Sequence, residues 1–349
     1  MSNFASKMKM PKARVFGVIA FAALVVYIIR INSKPSIQEF EFVGTTMGTV
    51  PYSVKIISNI SVEFKSDIDS VLIAFNNSLS TYIPDSEISI FNKTDSFAYQ
   101  SGIFYPILTK SAEIVEKTSG AFDPTIGPLV NIWGFGPDKV PVRPDSSLVD
   151  SLMQFVGFDK IDINPNRVKK ESGVYFDLSA IAKGYAVDLV GEFLESRGQD
   201  SYMVEIGGEV RVRGNNLKQE PWSIGIDDPL VDRSERKILA IARMENKSLA
   251  TSGNYRNYYE KDGQIFAHII DPTTGYNKLG GILSASVFAP DCMTADAYAT
   301  AFMVMELEGT KAVLESESDL DAVIIYQEEG EVKSYVSPGI EPQLTMIKE

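Results

Sequence analysis

Helices interleaved with strand segments in the first half of the chain, and short strands parted by turn residues in the second, predict an α+β fold of two closely packed lobes. A third observation marks its centre. The run 177–188, Asp-Leu-Ser-Ala-Ile-Ala-Lys-Gly-Tyr-Ala-Val-Asp, follows the strand-like Val174, Tyr175 and Phe176. It continues into Val187, Val190, Phe193 and Leu194 at helical spacing, with Gly198 as the stop. A strand-to-helix turn of this kind aims the free N–H groups of the helix start, here with Lys183, at an anion. The same residues also describe an ordinary helix start with Asp177 near its cap and a solvated lysine.

With 349 residues the chain has enough core to fold without staples. Its net charge is −13, yet residues 1–34 hold six of the 33 basic residues and none of the 46 acidic ones. The remainder is therefore more acidic than the total, and since duplex binding needs a basic stripe, nucleic acid is not an expected partner. Cys292 is the single cysteine, so no internal disulfide and no cysteine-based zinc cluster can form.

Residues 1–14 read as a basic cytoplasmic tail, 15–31 as an apolar membrane anchor or signal, 32–39 as a polar linker and 40–349 as the large folded domain. Lys7, Lys9, Lys12 and Arg14 precede the uncharged run 15–29, and Arg30 and Lys34 follow it. That imbalance keeps the N-terminus in the cytoplasm and exports the domain. The run is short for a span and fits a signal-peptide core as well; the lack of an Ala-x-Ala site after it favours an uncleaved anchor.

The domain opens with two strand segments around the bend Gly44-Thr45-Thr46-Met47-Gly48-Thr49. Met47 there serves either the core or a soft surface under a flat ring. From Ile60, apolar residues at 64, 68, 71, 72, 75 and 79 predict a helix, and 80–89 predicts a loop carrying Tyr82. A helix over 106–118 stops at Gly120; the loop 121–130, Ala-Phe-Asp-Pro-Thr-Ile-Gly-Pro-Leu-Val, is either a structural turn or a ligand flank. A long loop over 131–142 and a short helix over 146–155 lead to the central run. Strands are expected at 201–206, 208–213, 222–226, 237–243 and 248–251, with Gly207-Gly208 allowing close backbone approach. His268, the only histidine, precedes an Asp-Pro-x-x-Gly turn; it is either structural or, with its ordinary pKa near 6.5, suited to accept a hydroxyl proton. Asp296 and Thr300 stand four apart on an expected helix and share a face. They can present a carboxylate and a hydroxyl to a hard cation, although an Asp near a helix start is also a common cap. Residues 310–337 predict a helix, a strand over 321–326 and a closing strand.

Seven segments stand in a telling order: Thr46-Met47-Gly48-Thr49; Ser80-Thr81-Tyr82 through Ser86-Glu87; Gly120-Ala121-Phe122-Asp123-Pro124-Thr125; the run 177–188; Thr251-Ser252-Gly253-Asn254-Tyr255; His268-Ile269-Ile270-Asp271-Pro272; and Thr294-Ala295-Asp296-Ala297. Together, over about residues 40 to 337, they resemble the ApbE-type FAD:protein FMN transferases. The resemblance implies a T-fold-like core and an exported, magnesium-dependent enzyme that moves the FMN half of FAD onto a threonine or serine hydroxyl of another protein, releasing AMP. By matching motifs, it places flavin and pyrophosphate at Met47, Tyr82, Ala121, Phe122, Asp123, Asp177, Lys183 and Ile270. It places Mg2+ at the carbonyl of Ala180 and the side chains of Asp296 and Thr300. Lys183 and Asp296 are then catalytic, with His268 the candidate base. The implied acceptors are exported or membrane redox-protein subunits, and the implied location is the bacterial inner membrane with the domain on the periplasmic side. Many relatives carry a lipidated N-terminal cysteine, which this chain replaces with its apolar run. A metal-dependent FAD pyrophosphatase and a non-catalytic exported flavin-binding protein are the alternatives.

Overall fold

A computed structural model describes residues 36–137, 144–231, 237–253, 258–261, 264–267, 269–278 and 281–347, with Gly17, Phe21, Ala23 and Leu24 from the N-terminal run. The expected α+β class holds. Eight strands form one antiparallel sheet in the order β1 (Gln38–Thr46), β2 (Val50–Ser58), β6 (Tyr202–Ile206), β7 (Glu209–Arg213), β10 (Lys247–Gly253), β13 (Ile282–Ala289), β14 (Asp321–Glu328) and β15 (Glu331–Val336). Two small sheets flank it: β3 (Ser96–Ala98), β5 (Arg167–Lys170) and β4 (Ile161–Asn164); and β16 (Leu344–Met346), β9 (Ile238–Met244) and β8 (Trp222–Asp227). A hairpin of β11 (Tyr258–Lys261) and β12 (Gln264–Ala267) completes the strands among the described residues.

The alternating side chains of the main sheet divide the core in two. Val54 and Ile56 of β2, Ala285 and Val287 of β13, and Ala322 and Ile324 of β14 join the large cluster under the helices. Phe288, Val323 and Ile325 point the other way, against Trp222, Ile224, Ala240 and Ala242 of the small sheet. Strand β7 alternates as well, but its helix-side face is charged. Its Val210 and Val212 enter the second cluster, which leaves Glu209, Arg211 and Arg213 on the helix side.

Two helices lie at the centre of that side. The first, Ser179–Ser196, buries Ile181, Tyr185, Val187, Val190 and Leu194, and the second, Cys292–Val304, is buried around almost its whole girth. Their approach depends on Gly184, where an added Cβ would stand 2.1 Å from the Cys292 carbonyl oxygen and 2.8 Å from Asp296 Cβ. Asp188, one turn on, accepts from the backbone N–H of Cys292 at 2.9 Å and of Met293 at 2.7 Å, capping the second helix. Arg211 Nη1 reaches the same carboxylate at 2.7 Å. Burial, with Asp291 nearby, pushes the Asp188 carboxyl up to about 6 against the pull of Arg211 and the two amides.

Several segments differ from expectation. The helix expected from Ile60 is Lys65–Leu79, starting five residues later with Phe64 at its cap, and the one expected over 106–118 is Phe104–Lys117. The short helix Glu87–Asn92, whose cap Ser86 accepts from the Ser89 N–H, begins inside the expected loop 80–89, and Gly127–Ile132, with Pro128 in its first turn, lies within the expected loops over 121–142. Val174 to Phe176 is no strand: Tyr175 makes one parallel bridge to Ile126. Among the described residues no helix is long and apolar enough to cross a membrane, and most of the expected anchor lies outside them.

Gly184→Ala tests the helix contact. A gain of about 1 kcal/mol in helix propensity is set against a Cβ lodged in a carbonyl, so a net loss of about 1–3 kcal/mol or more is expected in chemical denaturation. A variant as stable as the parent would show that the helices do not need this approach.

Candidate functional site

The start of the central helix, the turn between β6 and β7, and the middle of the second helix enclose a cleft of about 800 Å³. That lies within the roughly 300–1,000 Å³ typical of ligand sites. Its wall includes Ala121, Phe122, Asp123, Asp177, Ala180, Lys183, Ile270, Asp296 and Thr300, so nine of the residues singled out in the sequence meet in one place.

Asp296 sits at its floor, 2% exposed. Its Oδ2 accepts from the Gly184 N–H at 2.9 Å, and its Oδ1 lies 3.3 Å from Lys183 Nζ. Burial raises the Asp296 pKa, while Lys183 and the helix amides draw it down. Lys183 Nζ lies closer, at 2.9 Å, to Glu209 Oε1. Burial opposes the charge of Lys183, but Asp296 and Glu209 outweigh it and hold the ammonium well above the usual lysine range. Among the described residues, then, two buried carboxylates share one ammonium that is about a third exposed to the cleft.

The oxygen donors fit a hard divalent cation. Asp296, Thr300 and Ala180 line the same wall, and a carboxylate has about four lone-pair directions, of which the Gly184 and Lys183 N–H groups and the Lys183 ammonium use up to three. Thr300 Oγ1 also meets Ser252 Oγ at 3.2 Å. Among the described residues no three His, Cys, Asp or Glu side chains gather as a cage. Magnesium, usually held by one or two carboxylates plus water and phosphate, requires none.

The opposite wall is rigid. Asp123 Oδ1 accepts from both the N–H and the hydroxyl of Thr125, at 2.8 and 2.7 Å, and Thr125 Oγ1 accepts from the Gly157 N–H at 2.8 Å. The Asp177 N–H donates to the Pro124 carbonyl at 2.8 Å, tying this loop to the central helix. Burial raises the Asp123 pKa against the pull of Thr125. Ile270 stands before a turn in which Asp271 Oδ1 accepts from Thr273, and Trp133 Nε1 donates to the Gly275 carbonyl at 2.9 Å.

Two predicted contacts do not reach the wall. Met47, at φ 47°, occupies the turn between β1 and β2 and packs partly into the main core. Tyr82 is 65% exposed; burial and the charge of nearby Asp177 raise its pKa. His268 lies outside the described residues. Glu209 was missed in the sequence, where 208–213 reads only as a strand. The available signal was the Gly207-Gly208 pair before it: both take positive φ, 65° and 106°, and turn the chain tightly enough to bring Glu209 against the helix.

Residues 47–324 match the ApbE family model. The FAD:protein FMN transferase of Vibrio cholerae is 38% identical over 325 residues, 89% of this chain and 94% of that protein. The FAD:protein FMN transferase of Haemophilus influenzae is also 38% identical, over 88% of this chain and 91% of that protein. Among solved structures, the flavin transferase ApbE from Vibrio cholerae superposes with a TM-score of 0.80 at 36% identity, covering 88% of this chain and 99% of that one. The apo flavinyl transferase ApbE of Pseudomonas stutzeri gives 0.78 at 29% identity, covering 88% and 97%.

Proposed function

The chain belongs to the ApbE family, and from that premise we infer that its cleft transfers the FMN half of FAD to a hydroxyl of a target protein, releasing AMP. The observation that carries this reading is the cluster of Lys183, Asp296 and Glu209 at a helix start, facing a wall of Ala121, Phe122 and Ile270. The first end suits a pyrophosphate and the second a flat apolar ring. On the same reading the α+β core is T-fold-like.

In the reaction the acceptor's hydroxyl oxygen bonds to the FMN phosphorus as the bond from that phosphorus to the bridging oxygen breaks. AMP departs with that oxygen, and the hydroxyl proton passes to a base. Lys183 places positive charge beside the pyrophosphate, and the N–H groups of the central helix start add to it. Asp123 and its Thr125 bonds keep the opposite loop rigid, so the ring is oriented before transfer. Asp296, Thr300 and the Ala180 carbonyl would hold Mg2+, which supplies further neutralisation of the phosphates. His268 is the proposed base. Tyr82 and Met47 are proposed to close over the flavin from the rim.

The proposal extends to location. The apolar run anchors the chain in the inner membrane of a bacterium, with the N-terminus cytoplasmic, the catalytic domain periplasmic, and exported or membrane redox subunits as acceptors.

Incubation with FAD, Mg2+ and an acceptor is expected to yield AMP and a flavin-labelled protein. Asp296→Asn is expected to fold normally and to lose most Mg2+-dependent transfer; AMP with free FMN alone would identify a pyrophosphatase, and full activity at limiting Mg2+ would move the metal elsewhere. For His268→Ala, transfer is expected to fall roughly 10²- to 10⁴-fold with FAD affinity unchanged. The acidic limb of the pH–rate profile is expected to vanish with it, and its persistence would assign the base role to another group. Fractionated cells are expected to keep the full-length chain in the membrane, whereas a soluble form beginning near Lys34 would mean a cleaved signal.

A further inference from the structure

The ammonium of Lys183 is drawn to two carboxylates on different elements: Asp296 on the second helix at 3.3 Å, and Glu209 at the head of β7 at 2.9 Å. Their surroundings differ. Asp296 also accepts from the Gly184 N–H and belongs to the oxygen set suited to a cation, whereas Glu209, 1% exposed, stands on the sheet across from it. A divalent cation arriving at Asp296 would compete with Lys183 for the same carboxylate and repel its charge at short range. Without a second anion, the lysine would either block the cation or be driven from the wall on which the phosphates depend.

We propose that Glu209 is a positioning residue that seats the Lys183 ammonium, leaving the Asp296 carboxylate open to a divalent cation while keeping the lysine at the wall. This rests on the reading that Asp296 holds the cation. The seat is built into the fold. The Gly207-Gly208 turn fixes the head of β7, and the alternation that sends Val210 and Val212 into the second core turns Glu209 toward the helix. The lysine keeps its place with or without the metal, because the shorter of its two contacts is the one the metal does not use.

The test is Mn2+ binding to the full-length protein without FAD, read from the loss of the free-ion electron paramagnetic resonance signal. Glu209→Gln, which removes the charge and keeps the shape, is expected to weaken Mn2+ binding by on the order of tenfold, the size of coupling usual between contacting groups. In a Lys183→Met background the same substitution is expected to change affinity by less than about twofold, because the competitor is gone. Equal weakening in both backgrounds would mean that Glu209 acts on the ion directly, and no weakening in either would remove its role; both results overturn the proposal. If Glu209→Gln fails to fold, Glu209→Asp carries the test, since retracting the carboxylate from Lys183 should give a smaller weakening that Lys183→Met again abolishes. Asp296→Asn separates the two readings: its loss of Mn2+ binding is expected, and wild-type affinity there would overturn the cation reading together with this one.

Discussion

The close approach of two helices at Gly184 is the constraint on which the site depends. Without a side chain there, the central helix lies against the carbonyl end of Cys292, and its own N–H reaches the Asp296 carboxylate. A buried carboxylate is costly unless it is hydrogen-bonded and paired, and this contact supplies part of that compensation. The same geometry sets Asp188 under the start of the second helix, where two backbone amides and Arg211 share it. Packing and electrostatics are therefore one arrangement: separating the helices would open the core and strand two acidic groups in it.

Strand β7 provides the other half of the charge balance. In a sheet covered on both faces, a strand of alternating valines and charges would ordinarily be a poor interior element. Here each charge meets a partner along the central helix, with Glu209 on Lys183, Arg211 on Asp188 and Glu195, and Arg213 on Glu195. The seam fixes the helix against the sheet in one register. It also leaves a lysine and two carboxylates at the end that faces the cleft.

The loops are as constrained as the helices. The Asp123–Thr125 bonds, the Asp177 link to Pro124 and the Trp133 bond to Gly275 join three segments distant in sequence. A cleft bounded by such walls presents a ligand with fixed dipoles, which is how electrostatic stabilisation acts without reorganisation at the moment of reaction.

The sequence by itself determined the fold class, most of the main-sheet strands and the chemical identity of most of the cleft wall, because helical and strand periodicity and turn residues are local properties of the chain. It also carried the order of motifs by which the family is recognised. Boundaries near Phe64 and the short helices Glu87–Asn92 and Gly127–Ile132 were hidden, since a serine cap or a proline in a first turn looks like loop chemistry until the backbone closes on it. Only the tertiary structure decided that β8 and β9 leave the main sheet, that Met47 and Tyr82 stand off the cleft wall, and that Glu209 faces Lys183. The reason is physical: which face of an alternating strand is buried depends on what packs against it from elsewhere, and a charged residue signals solvent until a distant partner neutralises it.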